Sequence, residues 1–147
     1  MNPPSKLYKA FRFTILLTLI ALVLEFILGT YTNLFVEFPD SIVDGNGWAW
    51  SMSQSPIIIA HVLLGSLLLA AALLALGLGI ALKSKTAIGS SAAGLVMMGL
   101  AYLSGGAFLT NIQMDGYSFL MALGFMGSLA AYCAAYYLTR PASQVAS

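Results

Sequence analysis

The run PIIIAHVLLGSLLLAAALLALGLGIAL, residues 56–82, holds no Asp, Glu, Lys or Arg. A helix on the surface of a soluble domain keeps a polar face, and this run has none. At 1.5 Å per residue, about 20 residues of helix cross the roughly 30 Å of bilayer hydrocarbon. The stretch therefore reads as a membrane span. Outward from it, three more runs repeat the pattern, at 13–36, 87–109 and 117–138. Only helices satisfy every backbone group in lipid without closing a barrel. The expected fold is all-α: an integral membrane four-helix bundle, one domain of 147 residues. The composition agrees, at 60% hydrophobic and 7% charged, where soluble domains carry about 25% charged residues.

Charge placement sets the expected orientation. Lys6, Lys9 and Arg12 precede the first span, Lys83 and Lys85 lie between the second and third, and Arg140 follows the fourth. With four spans these all fall on one side. Glu37, Asp40, Asp44 and Asp115 fall on the other. The positive-inside rule then puts both termini in the cytoplasm, with the cytoplasmic membrane of a prokaryote as the expected location. Trp48, Trp50, Tyr31 and Tyr117 would form the outer aromatic belt, and Tyr8, Tyr136 and Tyr137 the inner one. A signal peptide is the competing reading of the first run. That run is longer than the roughly 7–15 apolar residues of a signal peptide, and no small-x-small cleavage site follows it.

Other classes drop out. A net charge of +1 offers no basic stripe for nucleic acid. One cysteine, Cys133, excludes an intrachain disulfide and a cysteine zinc site. The sizeable connection is the outer one at 39–55, where Gly45-Asn46-Gly47 marks a turn and the two tryptophans are expected to lie on the bilayer. Small residues at spacings of three and four mark packing faces: Gly65, Ala72 and Gly79, then Ser90, Gly94, Ala101 and Gly105, then Gly124, Gly127, Ser128, Ala131 and Ala135. Thr32-Asn33 recurs as Thr110-Asn111, and Gly65-Ser66-Leu67 as Gly127-Ser128-Leu129. The two hairpins thus read as copies of one unit, with Leu103 and Leu123 in the places of Glu25 and His61.

Two ionisable residues stand inside the apolar runs. Glu25 is in the first span and His61, the only histidine, is early in the second. A charged side chain at mid-membrane costs about 2.5–3.5 kcal/mol on insertion scales, so it faces a partner or a cavity. Glu25, Gly29, Thr32 and Asn33 share a helical face, and Thr18 extends it inward. His61 and Gly65 share another. Counted from the outer ends, Glu25 is ~14 Å deep and His61 ~8 Å, an offset of about 6 Å that the side chains can bridge directly or through one water. Tyr102 lies at a similar level on the third span. The glycine one turn from each ionisable residue leaves room for another helix or for a flat ligand. Three readings stay open: a His–Glu bond that shares a proton and fixes helix register; His61 as axial ligand of a haem iron; and a proton or substrate path through Glu25.

The run LGTYTNLFVEFPD, residues 28–40, then a loop with tryptophans, then a histidine entering the next helix, resembles the opening half of haem A synthase. The resemblance covers roughly residues 25–80. It implies a bundle with haem-ligating histidines at the outer helix ends, as in the compact single-bundle forms of a family that oxidises a methyl group of haem O. His61 is the residue it carries over, as haem ligand. Ile57 stands where the family has a glutamate, Val62 where it has an arginine, and the second histidine and the paired loop cysteines have no counterpart. The resulting expectation is a small haem-A-synthase-like membrane protein that binds haem at His61, Gly65, Glu25, Gly29 and Tyr102 or assists respiratory oxidase assembly. The alternatives are an accessory subunit of a larger membrane complex, with Glu25–His61 as a clamp, or a small carrier or proton-path component. Lipid and either a second copy or partner membrane subunits are the expected partners. No catalytic set is legible.

Overall fold

The computed structural model describes residues 5–38, 47–111 and 115–139. Among them are five helices: α1 (Ser5–Phe35), α2 (Gly47–Gln54), α3 (Pro56–Ala81), α4 (Lys85–Thr110) and α5 (Asp115–Leu138). All but α2 are long and apolar enough to cross a membrane. This is the architecture of a multi-pass membrane protein.

Two boundaries differ from the sequence reading. Helix α1 begins at Ser5 rather than near Phe13, so Lys6, Lys9 and Arg12 are helical. Apolarity marks where lipid begins, and a helix does not stop there. The connection read as a loop also carries a helix, α2, which packs on α3 and α4. Gly47 meets the backbone of Leu109, Trp48 lies against Gly106, and the Trp50 ring is 5.1 Å from that of Phe38. The tryptophans thus cap the bundle's end. Gly45 and Asn46 lie outside the described residues.

Helix α3 opens on Pro56, whose missing N–H is no loss at a first helical position. The turn into α4 is short. Lys83 takes a left-handed backbone with φ 53, and Ser84 caps α4 by accepting from Ala87 N at 3.3 Å. Around the bundle α1 packs on α3 and α5, and α4 packs on α3 and α5; among the described residues the backbones of the diagonal pairs stay apart. The core is made by Phe11, Ile15 and Leu22 of α1, Leu68, Ala72 and Ala75 of α3, Ala87 and Met98 of α4, and Tyr132 and Ala135 of α5. Many of the largest apolar side chains point outward, among them Leu67 and Leu103. Lipid accepts them there without penalty, and small residues take the inside.

The tightest seam joins α4 and α5. A Cβ on Gly124 would sit 2.6 Å from Met97 O and 2.7 Å from Ala101 N, and one on Gly94 would meet the Tyr132 ring at 2.6 Å. Ser128 Oγ donates to Gly94 O across the seam at 3.4 Å. At this level the core is polar: Thr18, Ser91, Ser128 and Tyr132 are all fully buried. Thr18 returns its proton to Thr14 O at 2.9 Å. The hydroxyls of Ser91 and Tyr132 have no partner among the described residues. An unsatisfied buried hydroxyl costs about 1–3 kcal/mol. Tyr132→Phe removes that group and keeps the ring against Gly94, so the melting temperature in detergent is expected to hold or rise. A fall would mean that an ordered water holds the hydroxyl.

Candidate functional site

The C-terminal part of α1 and the start of α3 run antiparallel, which brings Glu25 and His61 together. His61 Nδ1 lies 3.0 Å from Glu25 Oε1. The contact has the length of a hydrogen bond but not its alignment. The second torsion of a histidine is soft, and a small ring rotation aligns the bond. Both side chains are largely enclosed, with 16% of Glu25 and 25% of His61 exposed.

The glycines work crosswise. Gly29, one turn from Glu25, faces the His61 ring: a Cβ there would lie 3.1 Å from Cε1 and 3.7 Å from Nε2. Gly65, one turn from His61, faces the Glu25 carboxylate, with a Cβ position 2.9 Å from Oε1. Each ionisable residue therefore occupies the gap left by the other helix's glycine. The room expected there for a flat ligand is filled by the pair itself.

Tyr102 joins from α4. Its ring lies 3.8 Å from the same Cβ position on Gly65. Its hydroxyl is 3.1 Å from Ser66 Oγ, and Ser66 in turn donates to Val62 O at 2.8 Å. With its proton so committed, Ser66 accepts from Tyr102. The sequence reading missed Ser66; its place beside Gly65, on the rim of the face shared with His61, was the available signal. Thr32 lies on the Glu25 face, and Oγ1 of Thr32 and Oε2 of Glu25 are both buried without a partner among the described residues. On the far side of Glu25, Phe26 stacks on Phe125 of α5 at 4.9 Å, closing the seam.

A haem iron needs a free imidazole nitrogen and space for the macrocycle. The nitrogen is available in principle: with Nδ1 on Glu25, Nε2 is the one left over. A carboxylate on the far ring nitrogen is also how metal-binding histidines are commonly oriented. The space beside Gly29 and Gly65 is taken, so a macrocycle would have to lie elsewhere around Nε2. Among the described residues no group of three or more His, Cys, Asp or Glu is gathered. The site thus offers one nitrogen donor, one carboxylate and one phenol in an apolar surround. Such a set can share or pass a proton and can hold two helices in register. No family model matches this chain, and no curated protein or solved structure is significantly similar to it.

Proposed function

We propose that the protein is a non-enzymatic four-span subunit of a prokaryotic cytoplasmic membrane, both termini inside, in which Glu25 and His61 act as one proton-sharing clamp between α1 and α3. The observation that carries this reading is the crosswise filling of Gly29 and Gly65. A pair that consumes its own space is built to hold helices. The orientation rests on the cations in the first turns of α1 and around the α3–α4 turn, at the end opposite Glu37 and Asp115. The hairpin repeat adds nothing to this reading: Leu103, in the place of Glu25, is 73% exposed and faces away from the bundle. A partner helix, from a second copy or another subunit, would approach where glycines remain open. Gly77 on α3 and Gly89 on α4 have no atom within 4 Å of a Cβ position.

A second reading keeps the resemblance to haem A synthase and its link to respiratory oxidase assembly. Here His61 Nε2 holds haem iron while Glu25 orients the ring. The carboxylate on Nδ1 is the observation that favours it. One experiment separates the two: a reduced-minus-oxidised visible spectrum of protein expressed with ample haem, beside His61→Ala. The clamp reading expects a colourless protein. A Soret band that disappears in His61→Ala would replace it with the haem reading.

A further inference from the structure

The cationic end of the bundle points to a lipid site. Arg12 is held by aromatic groups: its guanidinium carbon sits 4.2 Å from the centroid of the Tyr136 ring, and the Tyr8 phenol lies within side-chain reach. Tyr8 in turn donates its hydroxyl proton to Thr139 O at 2.5 Å, tying the start of α1 to the end of α5. Arg12 is therefore positioned at the seam where the first and last spans close the ring.

Charge at this end is one-sided. Lys9 lies three residues before Arg12, on the adjoining face, and Lys6 three before that; both lysines are exposed. Like charges at this spacing repel. The described acids, Glu25, Glu37 and Asp115, all lie toward the other end of the bundle. Among the described residues no acid lies at this end to supply the counter-charge. The guanidinium over the Tyr136 ring directs donors to the Tyr136 and Tyr8 hydroxyls, but it carries five, and the remaining ones can grip phosphate oxygens in pairs. Deeper in the membrane the same region is apolar and uncovered: Phe13 is 61% exposed and Leu16, one turn beyond Arg12, is 41%. A free anion has no use for that wall, whereas an acyl chain does.

We propose that Arg12, set by Tyr8 and Tyr136 and assisted by Lys9, binds the headgroup phosphate of an anionic phospholipid at the α1–α5 seam, with the acyl chains along Phe13 and Leu16. The test uses the full chain in neutral detergent, melted in the presence of phosphatidylglycerol, phosphatidylcholine or inorganic phosphate. Phosphatidylglycerol should raise the melting temperature, and the other two should not. Arg12→Gln should shift half-saturation by about fivefold, the factor that one surface cation contributes to anionic-membrane attraction. Should Arg12→Gln fail to fold, Arg12→Lys serves in its place. It keeps the charge and loses the stacked fork, and it too should need more phosphatidylglycerol. Equal stabilisation by phosphatidylcholine, by inorganic phosphate, or in the folded Arg12 variants would overturn the proposal.

Discussion

Gly124→Ala should unseat α5 from α4. The added methyl would meet Met97 O at 2.6 Å and Ala101 N at 2.7 Å, and both are backbone atoms of a helix that has nowhere to go. Overpacking a close-packed interior costs about 1–3 kcal/mol when side chains can adjust. Here they cannot, so the loss is expected at the top of that range or beyond it. Gly127→Ala is the control. It also collides, but with the side chain of Met97, a flexible group that can swing aside. Melting in detergent should therefore rank the proteins as wild type, then Gly127→Ala, then Gly124→Ala well below both. Equal losses at the two positions would mean that the α4–α5 seam is looser than described.

His61→Leu is the second change with a large expected effect. It removes the imidazole and leaves Glu25 enclosed on the α1–α3 seam with both carboxylate oxygens unpartnered. An isolated ionisable group at mid-span costs about 2.5–3.5 kcal/mol on insertion scales. The loss is expected to approach that bound. Glu25→Gln should cost less, since an amide leaves no charge and still offers His61 a partner. Thermal denaturation of the two variants reads the difference directly. If Glu25→Gln proves the more damaging, the carboxylate has a task beyond holding the ring.

Much of this architecture was legible in the sequence, for a physical reason: lipid imposes one rule on every residue of a span. The uncharged run at 56–82 reads as a span, and depth and facing put Glu25 within reach of His61 without showing that the two meet. Tyr102 could be placed near them by the same counting. What failed depended on partners. The glycines beside the pair read as room for another helix or for a flat ligand, because spacing shows that a gap exists but not which side chain fills it. Helix α2 escaped notice because GWAWSMSQ is short and has no apolar period. It is held by packing on α3 and α4 rather than by its own propensity. The seat of Arg12 on Tyr136 needs the first and last spans to be neighbours, which no local pattern encodes.

The central claim is that Glu25 and His61 act as one unit. A double-mutant cycle tests it most directly, with Glu25→Ala, His61→Ala and the double variant compared by denaturation in the same detergent. Independent positions add to within about 0.3–0.5 kcal/mol. Interhelical polar pairs in membranes reach up to about 1.7 kcal/mol, because chains unfolded in lipid also find partners. Coupling between about 1 and 1.7 kcal/mol is the predicted result, with the double variant less destabilised than the sum of the two singles. Additive losses would show that the two side chains do not meet, and the clamp would be contradicted.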